Sequence, residues 1–408
     1  MNLAWSILDH TAPGWPAEVA ALQRLLAGSG QPLVPSYFVE TTFVKMGGRL
    51  AVLRTMTSGA VVAIGLLFPR AIEDGRPVYT LRLHVLGPLP ANEALLASLL
   101  PLVAPATIVL HLPSAGHSFA ATSTVIDGFD IGTPRAAELP AVRRLRNEIW
   151  GGVADEGYPD DLHSAEFAPG TSLVARREGQ LAGFLLGFHR FGLAALDELA
   201  LPYRRELVIE SQVMGVAAAQ RGAGLAATLK REQARQALAR GIDLIHWTAD
   251  PLQFPNAVLN FGKLRAVAGE CYRSYYPYRN ALNRVTASRL GIVWLPRSAR
   301  GQAALAGVAG AGRHDLGHFP GVAILNVGPR PLQAPADAPY LALEIPADWT
   351  ALQRDDPATA LAWRATSDEL LAARLGFAHG RYLITDVAVA HGRRYLVAQR
   401  FTPALLLP

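Results

Sequence analysis

The chain has 408 residues, half of them hydrophobic and only 17% charged. That balance describes two or three packed domains and excludes a disordered chain. A single cysteine, Cys271, excludes an internal disulfide and a cysteine-based zinc site.

The net charge of +5 and the pI of about 9.5 rest on arginine, because Lys45, Lys230 and Lys263 are the only lysines. The arginines are scattered, often beside acids as in Arg354-Asp355-Asp356. A nucleic-acid binder would gather them on one face, so no nucleic-acid partner is expected. The opening MNLAWSILDHTAPGWP meets Asp9, His10 and Pro13 too early for a signal peptide. No run approaches the roughly 18 apolar residues of a membrane span. A cytoplasmic chain without a membrane partner is the expectation.

In chain order, a helix is expected over Ala17–Leu26, then strands at Leu50–Arg54, Val61–Phe68 and Tyr79–Leu86, a helix over Ala91–Val103 and a strand at Ile108–Leu112. A second section begins with a helix over Ala136–Glu148 and a strand pair within LVARREGQLAGFLLGFHR (173–190). It continues through the strand ELVIESQVMGV, a glycine turn, a long helix and the strand IDLIHWTAD. After Pro296 the tract SARGQAALAGVAGAG reads as linker or surface loop. The last section holds a strand at Tyr340–Ile345, a helix through Leu352–Leu375, and strands around Tyr382–Val389 and Tyr395–Gln399. The class is α/β with a mixed sheet, in sections 1–128, 129–297 and 298–408. Residues 50–68 echo 173–188, and 80–90 take the place of the 207–217 strand before a helix and a strand; this reads as a degenerate structural repeat, with an unrelated α/β domain as the alternative. The first copy lacks a phosphate turn, since Pro88 and Pro90 remove two amides.

The glycine turn QRGAGLAATLK (220–230) is the chemical centre of the sequence. The first N–H groups of a helix have no intrahelical partners and lie at the positive end of its dipole, so anions bind there. Two frames compete. GAGLAA (222–227) fits the dinucleotide pattern G-x-G-x-x-A, with Asp250 ending the next strand as the ribose acid. From Arg221, R-G-A-G-L-A fits the acyl-CoA pattern R/Q-x-x-G-x-G/A. No Gly-Lys-Ser/Thr follows, which excludes a Walker A loop.

The second frame accounts for more residues, and through it the chain resembles the GNAT acyltransferases. HWTADPLQFPNAVLNFGKL (246–264) is similar to a W-T-x-D-P-L…N-A segment of one little-characterised group. Asn280, Asn283, Ser288-Arg289, EIPADWTAL (344–352), AWR (362–364) and RYLITDV (381–387) continue that likeness over about 130 to 400. The resemblance implies two tandem GNAT-like units, the first degenerate, and a C-terminal α/β extension packing on the second. It implies that Arg221, Gly222, Ala223, Gly224, Leu225 and Ala226 hold the pyrophosphate of acetyl-CoA or another acyl-CoA. Met214, Gly215 and Val216 would pair with pantetheine. Asn256 and Asn260 are further candidates for the pantetheine arm or ribose.

Acyl transfer to an amine needs a base, and Glu210, on the strand before the loop, is the candidate; its structural alternative is a pair with Arg204 or Arg205. The thiolate-protonating tyrosine of the family falls on Phe261, a departure that points to Tyr272, Tyr275, Tyr276 or Tyr278, to unassisted departure, or to binding without catalysis. Arg289 and Tyr276 are candidates for the acceptor's carboxylate or an acidic acyl group such as succinyl. His246 reads as a core histidine and Cys271 as an inert thiol. No His/Asp/Glu spacing suggests a metal. The expected function is N-acylation of a small-molecule amine, such as an amino acid, from acetyl-CoA or succinyl-CoA. The alternatives are a non-catalytic acyl-CoA-binding protein and an NAD(P)-dependent oxidoreductase. A homodimer stays open.

Overall fold

The computed structural model describes residues 2–119, 122–151, 157–276, 283–307, 312–335 and 337–408. The chain divides into two compact units, one of 1–145, 152–192 and 205–213 and the other of 146–151, 193–204 and 214–408.

In the first unit, β1 (Leu3–Ile7) precedes α1 (Trp15–Ala27). Helix α1 has a proline in its first turn and buries Trp15, Val19, Leu22 and Leu26, one stripe at helical spacing. Strands β2 (Arg49–Thr55), β3 (Val61–Glu73) and β4 (Arg76–Val85) follow as an antiparallel meander. Helix α2 (Asn92–Val103) then crosses over to β5 (Thr107–His111), which pairs parallel with β4. The strand order is β1-β2-β3-β4-β5. A second series, β6 (Ser123–Ile126), β7 (Phe129–Gly132), α3 (Leu139–Trp150), β8 (Leu173–Arg177), β9 (Gln180–Phe191) and β10 (Leu207–Val216), places its strands in the order β6-β7-β8-β9-β10.

One aromatic core serves both series. Phe38 lies 5.0 Å from Phe188, Phe43 4.7 Å from Phe68, and Phe68 4.9 Å from Phe167, centroid to centroid. Tyr158 meets Phe38 edge-on at 5.2 Å. Residues of 1–128 and of 129–297 are therefore buried together in this unit.

In the second unit, α4 (Leu225–Ala239) leads to β11 (Ile245–Ala249) and α5 (Phe254–Ala257), which runs on into a π-helical turn, Val258–Lys263. Strands β12 (Val267–Tyr276) and β13 (Ala287–Trp294) follow. Next come α6 (Ala299–Leu305), β14 (His314–Asp315), β15 (Val322–Ile324) and a hairpin of β16 (Asn326–Val327) and β17 (Arg330–Pro331). Strand β18 (Tyr340–Ile345), helices α7 (Trp349–Asp355) and α8 (Pro357–Arg374), and strands β19 (Tyr382–Ala390) and β20 (Arg393–Arg400) complete it. The strand order is β15-β18-β20-β19-β12-β13-β11, with β14 on β19.

The tract expected as linker begins instead with α6. Ser298 caps it by accepting from Gly301 N–H at 3.0 Å, and its small residues Gly301 and Ala304 are the buried ones. The single helix expected through Leu352–Leu375 is two. Asp356 ends α7 and caps α8, accepting from Thr359 N–H at 3.0 Å, and Pro357 begins the new helix. Element order repeats along the chain: β1-α1-β2-β3-β4-α2-β5 is followed by β7-α3-β8-β9-β10-α4-β11. No helix among the described residues is long and apolar enough to cross a membrane.

Candidate functional site

The turn between β10 and α4 has the backbone its glycines predict. Gly222 and Gly224 have φ of +84° and +82°, where a side chain is strained. Gly224 is the N-cap of α4, with no side-chain cap bond and no acid in the first helical turn. Arg221, Gly222 and Ala223 are exposed, Gly224 and Ala226 half-buried, and Leu225 anchors the helix in the core. A Cβ built on either glycine meets nothing within 4 Å. Their absence of side chain is therefore a matter of backbone conformation and outward room, not of internal packing. A 15-residue helix that opens at such a turn without a side-chain cap is suited to an anion.

Just before the turn, Met214 and Val216 are half-buried and Gly215 is buried on β10. Glu210 lies earlier on the same strand, 3% exposed. Its Oε2 accepts from Arg190 Nη1 of β9 at 3.1 Å. The sequence offers Arg204 and Arg205 as alternatives; the backbone N–H of Arg204 donates to Asp243 Oδ2 at 3.0 Å.

Behind α4, the ammonium of buried Lys230 lies 3.7 Å from the centre of the Trp247 ring. Trp247 Nε1 donates to Asn260 Oδ1 at 3.3 Å. Asn260 is thus a buried residue of the core, whereas Asn256 on α5 is exposed.

The WTADPL acid and the AWR arginine meet. Asp250 Oδ2 accepts from Arg364 Nη2 at 2.7 Å, with Arg289 Nη1 at 3.4 Å, and Oδ1 accepts from Leu252 N–H at 2.9 Å. Arg364 also lies 4.9 Å from the centre of the Trp349 ring, within EIPADWTAL. Arg289 stands 4.9 Å over Tyr276 and reaches Asn283 Oδ1 at 3.4 Å. Ser288 Oγ donates to Asp368 at 2.6 Å, and burial pushes that carboxyl above its ordinary range. The separate motifs thus converge on one buried charge network. Asp250 is 6% exposed and holds two arginines, so it is in no position to serve a ribose.

Phe261 is 1% exposed on the π-helical turn. A Cβ on its neighbour Gly262 would overlap the Gly312 carbonyl oxygen, so only glycine fits there. Of the alternative tyrosines, Tyr272 donates to Glu270 Oε2 at 2.8 Å, and Tyr275 packs on Tyr276 with ring centres 4.9 Å apart. Tyr278 and Asn280 lie outside the described residues. Burial pushes the Cys271 thiol up to about 12, in keeping with an inert side chain.

Sequence reasoning missed Arg190, whose partner Glu210 is on another strand, and Arg364 as the counter-charge of Asp250. It also missed a cluster in the first unit, where His111, His117 and Asp161 bring three ligand-type atoms within 4.8 Å of one another. They come from three separate segments, so no spacing could have shown them.

Residues 139–257, from the start of α3 to the end of α5, match the model of the acetyltransferase (GNAT) family. No curated protein sequence matches the chain. Among solved structures, similarity extends to a diaminobutyrate acetyltransferase from Paenibacillus lautus in complex with L-2,4-diaminobutyric acid and coenzyme A. It is 16% identical, with 43% of this chain and 96% of that one covered and a TM-score of 0.31. The ribosomal-protein-S18-alanine N-acetyltransferase from Escherichia coli is 12% identical, with coverage of 41% and 93% and a TM-score of 0.31. An N-acetyltransferase from Staphylococcus aureus Mu50 is 16% identical, with coverage of 41% and 98% and a TM-score of 0.32.

Proposed function

Because residues 139–257 belong to the acetyltransferase (GNAT) family, we propose that the chain is an acyl-CoA-dependent N-acyltransferase acting on a small-molecule amine. The observation that carries this reading is the family match over the turn whose two left-handed glycines open α4. In this reading the amides of Gly222 to Ala226 hold the CoA pyrophosphate, with Arg221 as an exposed countercharge. Met214 to Val216 would offer strand groups to the pantetheine arm, and the exposed Asn256 would bond that arm or the ribose.

Glu210 takes the proton of the attacking amine, held in orientation by Arg190. The amine nitrogen bonds to the thioester carbon, and the C–S bond breaks to release CoA thiolate. Phe261 has no proton to give, so the thiolate leaves unassisted or is protonated by one of Tyr272, Tyr275 and Tyr276. The donor is acetyl-CoA or succinyl-CoA, and the acceptor a small amine such as an amino acid. Arg289 and Tyr276 would receive a carboxylate, and Asp250 would share that guanidinium.

Thermal shift against acetyl-CoA, succinyl-CoA, free CoA and NAD(P) tests the reading. Ligand at 100 times Kd stabilises by about 2.7 kcal/mol, and CoA species alone should do so. Stabilisation by NAD(P) and not by CoA would overturn it. The phenylalanine in the tyrosine position favours a second reading, an acyl-CoA-binding protein without catalysis. CoA binding with no thiol release across an amine panel would select that one.

A further inference from the structure

We propose that His111, His117 and Asp161 form a site for a transition-metal dication of the Zn2+ class, independent of the acyl-CoA reading. His111 ends β5, His117 lies on the loop after it, and Asp161 sits on a short turn, Asp160–His163. Their ligand atoms lie within 4.8 Å of one another. His111 Nε2 is 3.1 Å from Asp161 Oδ2, near the edge of a tetrahedron about a zinc with bonds of about 2.0–2.1 Å. The two imidazoles stack at 4.4 Å with 13° between their planes.

Two further observations point to a ligand. His117 Nε2 is buried and makes no hydrogen bond, an expensive state for a ring nitrogen. Its other nitrogen, Nδ1, is 3.4 Å from Glu166 Oε2. A carboxylate accepting a hydrogen bond from Nδ1–H leaves Nε2 as a bare lone pair, the arrangement that orients metal-binding histidines. Beside the cluster is a cavity of about 250 Å³ lined by His117, Asp160, Asp161 and Arg143. It offers room for a fourth ligand, water or substrate, as an open site requires.

Arg82 sets the limits of the site. Its Nε and Nη2 donate to Asp161 at 2.7 and 3.0 Å, fixing the carboxylate while opposing a dication. Affinity is therefore expected near the micromolar range, far weaker than a structural zinc. Two imidazoles with one carboxylate select Zn2+ or Co2+ over Mg2+ and Ca2+. Binding takes the Nδ1–H tautomer of His111, so the metal replaces the His111–Asp161 hydrogen bond.

The full chain, stripped with a chelator, is titrated with ZnCl2 by calorimetry and with CoCl2 by visible absorption. One equivalent should bind, with cobalt bands of low coordination number. His117→Ala should abolish them. Glu166→Gln, at a half-exposed residue and so safe for folding, should weaken binding about tenfold. The double variant His314→Ala/His318→Ala, at another stacked histidine pair, should change nothing. No stoichiometric uptake, uptake unaltered in His117→Ala, or uptake lost in the His314/His318 variant would each overturn the site.

Discussion

Asp250 shows how one residue's surroundings decide its use. Its position at a strand end suits a ribose-binding acid, yet the fold buries it between Arg364 and Arg289. Removing one partner of a buried pair leaves an uncompensated charge and costs about 3–5 kcal/mol. Arg364→Ala should therefore lower the denaturation midpoint sharply, by calorimetry or urea titration. Gly224 is the opposite case, half-buried with open space beside its Cα but constrained in conformation. Gly224→Val puts a β-branched residue at φ of +82°, costing of order 1–3 kcal/mol locally. It should raise KM for the acyl-CoA by tenfold or more, with the fold intact by circular dichroism. For Cys271, the raised thiol pKa, about 12, keeps the group protonated when folded. Iodoacetamide should label it slowly at pH 9 and quickly after unfolding. The sign for stability follows: the unfolded thiol ionises at lower pH than the folded one, so this group disfavours folding as pH rises above about 8.5.

Among elements, those read correctly from sequence are the ones whose periodicity and termini agree. Helix α1, the β8–β9 hairpin and α4 each have apolar spacing and glycine or proline ends that point the same way. Alanine and glycine can lie at the surface or against a backbone, so the composition of α6 could not decide between linker and buried helix. Here the backbone of Leu295 and Pro296 approaches Gly301 so closely that a Cβ would overlap it. The break between α7 and α8 was written in Asp356-Pro357, a cap and a first-turn proline, and was overridden by the apolar run on either side. In the candidate site, the turn was legible because glycine conformation is local. The partners of Glu210, Asp250 and Asp161 were not, since each comes from a distant segment. Glu210 is the element-scale test of β10. Glu210→Gln keeps the shape, and kcat should fall about 100-fold or more while KM for the acyl-CoA changes little. An unaltered kcat would remove Glu210 from the reaction.

For the molecule as a whole, boundaries drawn from sequence rhythm and the grouping of buried side chains are different things. The sections 1–128 and 129–297 each have their own series of elements, yet Phe38, Phe43 and Phe68 of one are buried with Tyr158, Phe167 and Phe188 of the other. A large aromatic truncated in such a core costs about 3–5 kcal/mol, and Phe68→Ala should show that loss in urea denaturation. A fragment of residues 129–297 should bind a hydrophobic dye strongly and aggregate, and the full chain should do neither.

The pairing of Asp250 with Arg364 spans 114 positions, and that separation has a meaning in time. At about 5–20 residues per second of synthesis, the acid leaves the ribosome about 6–23 s before Arg364. Until Arg364 emerges, Asp250 has at most the longer contact to Arg289 as counter-charge, which favours keeping the end of β11 hydrated over its final burial. A ribosome-stalled chain ending before Arg364 should therefore be cut by protease near Asp250, and one ending beyond β20 should resist.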